Sequence, residues 1–72
     1  MDARKTGSFI AEKRKERNMS QRELAEHLHI TDKAISKWER GLSFPDITIL
    51  IPLSEVLNVS LYDLLTGGSS NE

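Results

Sequence analysis

Cysteine is absent from the 72-residue chain. Disulfides, thiolate metal sites and cysteine nucleophiles are therefore excluded, and the composition fits a reducing compartment. No apolar run approaches the roughly 18 residues of a membrane span. The amino-terminal stretch MDARKTGS also lacks the apolar segment of a signal peptide. A soluble, cytoplasmic protein without a membrane partner is expected. The chain is short as well: a domain of this size buries only about 60% of the surface its unfolded form exposes, so little is left for a catalytic cleft. Finally, no lysine or arginine follows Arg40.

That last absence is hidden by a net charge of −1. All ten Lys and Arg lie between Arg4 and Arg40; set against the seven acids of residues 1–40 they leave +3, whereas residues 41–72 hold four acids and no base, giving −4. A dipolar molecule with one attractive face follows, and steering of an anionic partner depends on that local field more than on the total. The bases equally allow a second reading, as residues that merely solvate helix surfaces.

The stretch Ser20 to Gly41, SQRELAEHLHITDKAISKWERG, organises the rest. Ser20 followed by Glu23 is a capping box, in which each side chain satisfies a backbone N–H of the other residue. Leu24, Ala25 and Leu28 recur at helical spacing until His29-Ile30-Thr31, where Thr31 caps a second run ending at Gly41. Two helices with apolar inner faces and a three-residue junction have the sequence form of a helix-turn-helix, whose second helix fits a DNA major groove. Around this pair we predict helix 1 from about Thr6 or Ser8 to Arg17, after a frayed segment 1–5. Its inner face carries Phe9, Ile10 and the stems of Lys13 and Arg14. Asn18 ends that helix in a left-handed conformation, helix 2 spans about Gln21–Leu28, and helix 3 spans about Asp32–Arg40.

Gly41 then acts as a C-cap, and the loop Leu42-Ser43-Phe44-Pro45 brings two apolar side chains to the core. Asp46 caps a fourth helix carrying Ile47, Ile49, Leu50, Leu53, Val56 and Leu57. Pro52 should kink it near Ile51 or give its first turn 3₁₀ character. Asn58 closes it, Ser60 caps a last helix Leu61–Leu65, and Gly67-Gly68 opens a tail. The expected architecture is all-α: one compact five-helix domain over residues 1–66, with a flexible C-terminal tail at 67–72.

On a helical wheel, Thr31, Ala34, Ile35 and Trp38 fall on one side of helix 3, and Lys33, Ser36, Lys37 and Arg40 on the other, with Asp32 at their edge. Lysine donates to guanine O6/N7 or to phosphate, serine meets either, and aspartate accepts from cytosine N4. Asp32 has an equal alternative, since a first-turn carboxylate stabilises the helix dipole. Gln21 and Arg22 stand at the start of helix 2, where free N–H groups favour a phosphate. Arg22 also reads as a solvated first-turn residue.

The segments FIAEKRKERNMSQRELAEHL, ITDKAISKWERG, LSFPDI and NVSLYDLL together resemble the Cro/repressor (XRE) family of helix-turn-helix transcriptional regulators, over about Phe9 to Leu65. The resemblance implies a lambda-repressor-like domain that binds palindromic operator DNA as a homodimer. No cofactor or metal is expected from the residues, and no small-molecule ligand in a chain of 72 residues. Carried over by position, the resemblance implies that Gln21 binds phosphate, that Asp32, Lys33, Ser36 and Lys37 read bases, and that Arg40 and Ser43 touch the backbone. It further implies an ion pair between Arg14 and Glu39 and a dimer contact through Leu61, Tyr62 and Leu64. The chain departs from the family where His29 and Asn58 replace common glycines and where Lys13 replaces a common leucine. Both glycine replacements imply positive φ, and the Lys13 stem has to cover apolar surface.

Catalytic readings find little support. His27 and His29, two residues apart at a helix end, point away from each other, and no third ligand stands at a useful spacing. No serine has a nucleophile elbow or a His/Asp constellation. The chain is not expected to be an enzyme. A sequence-specific repressor is the leading reading, and an antitoxin-like protein-interaction module with secondary DNA binding is the alternative.

Overall fold

In the computed structural model, which describes residues 2–68, five helices follow one another: α1 Ala3–Glu16, α2 Gln21–Leu28, α3 Asp32–Glu39, α4 Ile47–Leu57 and α5 Leu61–Thr66. No strand occurs among the described residues. The chain folds as the expected five-helix, all-α domain. Its core gathers Phe9 and Ile10 of α1, Leu24, Ala25 and Leu28 of α2, Ile35 and Trp38 of α3, Leu50, Leu53 and Leu57 of α4, and Leu64 of α5. α3 packs against α1 and α2, while α5 packs against α1 and α4. α3 and the acidic carboxy-terminal helices thus meet chiefly through the intervening core.

Helix starts follow from their caps. Ser20 Oγ accepts from Glu23 N (3.0 Å) and Glu23 Oε1 accepts from Ser20 N (2.8 Å), completing the capping box. Thr31 Oγ1 accepts from Ala34 N and Ser60 Oγ from Asp63 N. Asp46 starts α4, and the hydrogen bonds it accepts from the Thr48 hydroxyl and backbone N–H hold its carboxyl below the usual carboxylate range. Its contribution to stability is therefore present above the unfolded-state pKa and is lost as pH falls through the lowered native value.

All five helices stop in the same way. A residue just past the last turn adopts a left-handed conformation, and the next N–H reaches back five residues: Met19 N to Arg14 O, Ile30 N to Ala25 O, Leu42 N to Lys37 O, Val59 N to Ser54 O and Gly68 N to Asp63 O. These are the bonds of the Schellman motif. Glycine occupies two of the five left-handed positions, Gly41 and Gly67, and Asn18, His29 and Asn58 fill the others at φ 57°, 58° and 57°. A side chain in that region costs about 1–2 kcal/mol, part of which glycine forfeits through its freer unfolded chain. The exposed His29 ring takes part in no hydrogen bond or ion pair among the described residues. His29→Gly should therefore raise stability by about 0.5–1 kcal/mol, or roughly 2–8 °C in melting temperature. An unchanged or lower melting point by circular dichroism would mean the imidazole contributes something the backbone argument misses.

Several expectations are corrected. α1 begins at Ala3, earlier than expected, because the Asp2 carboxylate accepts from Arg4 N and Lys5 N. Residues 3–5 are therefore helix rather than frayed chain, Asp2 is their cap, and Met1 lies outside the described residues. Arg17 and Arg40 fall just beyond α1 and α3 as caps. Thr31 is exposed, since the cap residue turns its hydroxyl back to the helix. Leu42 is 64% exposed, so the two apolar side chains that this loop brings to the core are the half-buried Phe44 and the buried Pro45. Ile47, at 77%, also faces outward. Leu64 is fully buried, so its side chain belongs to the core and offers no dimer contact; Leu61 and Tyr62 remain exposed.

Pro52 lies inside an unbroken α4, and the 3₁₀ character appears in the first turn, where Ile49 N donates to Asp46 O at 2.8 Å. Gly67 and Gly68 are packed on α1, not opened into a tail: a Cβ at Gly67 would lie 2.6 Å from Lys5 Cβ, and one at Gly68 2.6 Å from Phe9 Cδ1. Residues 69–72 of the expected tail lie outside the described residues.

Candidate nucleic-acid interface

α3 is held from three directions. On the buried side, Ile35 and Trp38 insert into the core. At its N-terminus Thr31 caps it, and at its C-terminus Glu39 is locked to α1. Arg14 Nε donates to Glu39 Oε2 at 2.7 Å and Nη2 to Oε1 at 3.0 Å, a two-pronged pair whose side chains are 10% and 8% exposed. The third guanidinium nitrogen, Nη1, donates to the Met19 carbonyl at 2.7 Å in the turn between α1 and α2. Gln21, the first residue of α2, completes the cluster by donating from Nε2 to Glu39 Oε1 at 2.9 Å. One carboxylate thus ties α1, α2 and α3 together. Arg14 and Glu39 were named together from the resemblance; the Gln21 link was not, because it depends on how the two helices are set against each other.

The opposite face of α3 is the exposed one. Lys33, Ser36, Lys37 and Arg40 recur at helical spacing, with Lys33, Lys37 and Arg40 exposed and Ser36 half-buried. Asp32 is exposed in the first turn. Arg40 folds back to its own helix, donating from Nε to Ser36 O at 3.3 Å, which leaves its two terminal nitrogens available. Ser43 is exposed in the loop that follows. Arg22 lies 3.8 Å from Glu26 across one turn of α2, both largely exposed. Such a surface pair contributes little and opens readily toward a stronger anion. The first two N–H groups of α2, those of Gln21 and Arg22, have no preceding turn to donate to and point outward along the helix dipole.

Close packing keeps this face in place. Gly7 of α1 lies against the last turn of α3, where a Cβ would strike the Trp38 carbonyl oxygen and come within 3.0 Å of Trp38 C and 3.2 Å of Glu39 C. The Thr6 hydroxyl, buried, donates to Leu64 O at 2.6 Å and fixes α5 on α1. Arg17 Nε donates to Leu57 O at 3.3 Å, satisfying a carbonyl at the end of α4. None of these three contacts is visible in the sequence, since each joins residues far apart in the chain. Lys13 extends over the Phe9 ring, 5.4 Å from its centroid, and reaches Glu16 at 3.3 Å. Its stem thereby covers apolar surface beside Phe9.

A helix-turn-helix family model matches residues 10–64, which include all of α2, α3 and α4. The chain belongs to the helix-turn-helix family. Within it the resemblance to Cro/repressor-type (XRE) regulators holds, and its relatives include proteins named as HTH-type transcriptional regulators. The domain is 39% identical over 51 residues to the HTH-type transcriptional activator BcrR of Enterococcus faecalis, covering 71% of this chain and 25% of that protein. It is 42% identical over 59 residues to the HTH-type transcriptional regulator YqaE of Bacillus subtilis (strain 168), covering 82% of this chain and 50% of that one. The helix-turn-helix chain thus spans a quarter to a half of the length of these two relatives. Among solved structures, the P22 c2 repressor in complex with a synthetic operator superposes with a TM-score of 0.83 at 34% identity, covering 86% of this chain and 94% of that one.

Proposed function

We propose that this domain is a sequence-specific double-stranded DNA-binding regulator of transcription that acts as a repressor by occupying a palindromic operator as a homodimer. α3 enters the major groove. The observation that carries the proposal is the α3 face: three cations and a hydroxyl outward, with a core-anchored inner side and a C-terminus fixed by Arg14 and Glu39. Likeness to a repressor bound to its operator supports the reading. Asp32, Lys33, Ser36 and Lys37 read base edges, and Gln21, Arg22, Arg40 and Ser43 hold phosphates. Leu61 and Tyr62, 39% and 68% exposed, supply apolar surface for the second copy. The acidic α4 and α5 stay away from the backbone. BcrR is named an activator; the sign of regulation is set by where an operator lies, not by the helix that reads it.

Salt dependence separates this reading from a protein-interaction module. Binding to duplex DNA through several phosphates should weaken steeply as salt rises, with a log–log slope of about −3 or steeper. A flat response, or no binding to any duplex at low salt, would favour the antitoxin-like alternative. Roles within the site separate by substitution. Lys37→Ala should relax base preference by about 1–3 kcal/mol at the contacted position, whereas Gln21→Ala should weaken all sequences alike. Affinities for matched and mismatched duplexes measure both, and the reverse pattern would overturn the assignment.

A further inference from the structure

We infer that Glu39 is a positioning residue for the DNA backbone contact, turning the Gln21 side-chain amide so that its nitrogen end meets phosphate. The inference rests on the proposed phosphate-binding role of Gln21. A glutamine amide has two unlike ends, a carbonyl that only accepts and an NH₂ that only donates. A DNA phosphate only accepts, so an amide free to rotate would present the wrong end part of the time. The Glu39 carboxylate also only accepts. With Gln21 Nε2 at 2.9 Å from Glu39 Oε1, the amide can satisfy that contact in one orientation alone. One N–H is taken by Glu39 and the second is left for an acceptor beside the α2 N-terminus, where the free N–H groups of Gln21 and Arg22 also gather.

Arg14 makes this arrangement compatible with DNA. A bare carboxylate near the backbone would repel phosphate, but the Glu39 charge is matched by a guanidinium that donates to both of its oxygens. Arg14 is itself buried and spends its remaining contact on Met19 O, so it acts on the interface only through Glu39. The chain of influence runs from Arg14 to Glu39 to Gln21 to phosphate.

Nuclear magnetic resonance of the wild-type chain tests the idea without a substitution. In the free protein one Gln21 side-chain amide proton should exchange slowly with solvent and its sister rapidly. Adding a random-sequence 20-base-pair duplex at low salt should move the fast proton downfield and leave the slow one in place. Two fast-exchanging protons, or a joint shift of both, would overturn the inference. Absence of shifts throughout α3 would instead show that the DNA-binding reading has failed, and the inference with it.

A double-mutant cycle adds a readout that a purely structural role would not produce. Arg14→Met combined with Glu39→Leu removes the acceptor while keeping the buried volume filled, a replacement that small domains tolerate. It should weaken binding to the same duplex by about three- to tenfold in the native background and by less than about twofold in the Gln21→Ala background. Equal losses in both backgrounds would mean that the pair acts on the domain as a whole. If the combined variant does not fold, the amide exchange pattern alone decides.

Discussion

Glu39→Ala should lower the melting temperature by tens of degrees. The substitution leaves the guanidinium of Arg14, whose side chain is 10% exposed, without its carboxylate partner, and stranding a buried charge in this way costs roughly 3–5 kcal/mol. It also removes the acceptor of Gln21 Nε2. For a domain of this size that loss corresponds to about 12–40 °C, out of a total stability of roughly 4–11 kcal/mol. Glu16→Ala provides the contrast. Glu16 pairs with Lys13 at 3.3 Å on an exposed stretch of α1, and its side chain is 55% exposed. Such pairs contribute about 0–1 kcal/mol, so the melting temperature should scarcely move. Thermal denaturation followed by circular dichroism compares the two directly, and equal shifts would count against the buried pair as the fastening of α3.

Gly7→Ala is expected to destabilise the domain even though alanine is the better helix former by about 1 kcal/mol. Gly7 sits inside α1, a place where glycine is unfavourable unless packing demands it. The demand comes from the backbone of Trp38 and Glu39, which a Cβ would strike. A side chain in that position could rotate away; a carbonyl in the last turn of α3 cannot. Relief requires α1 and α3 to separate, and overpacking of this kind costs typically about 1–3 kcal/mol. Separation also shifts the exposed face of α3, so duplex affinity should fall together with stability. Ser8→Ala, at the exposed neighbouring position, serves as the control and should be neutral or slightly stabilising. A Gly7→Ala variant that melts at or above the wild-type temperature would show that the two helices are not in contact there.

Much of this was legible in the sequence where the physics is local. The capping box, the Thr31, Asp46 and Ser60 caps and the left-handed position of Asn18 were readable because each depends on a few successive residues, whereas the left-handed His29 and Asn58 followed from the resemblance, in which they replace common glycines. The Asp2 cap is not legible in the sequence, since the polar pair Arg4-Lys5 that follows it carries no apolar periodicity. In α4 nearly every position is apolar, so periodicity could not tell the buried Leu50, Leu53 and Leu57 from the exposed Ile47. Leu61 and Leu64 presented the same ambiguity in a helix of six residues. The bases of α3 stood out through their spacing, but the means of holding that face did not. Gly7 against Trp38, Thr6 on Leu64 O and Gln21 on Glu39 join residues 18 or more positions apart, and nothing in a single sequence marks such pairs.

Selection of bound duplexes from a random-sequence library tests most directly whether α3 reads DNA. Enrichment of an inverted repeat whose half-site centres lie about one helical turn apart is the predicted outcome, with Lys37→Ala losing preference at one position in each half-site. Recovery of duplexes without any shared sequence, or of none at all, would contradict it.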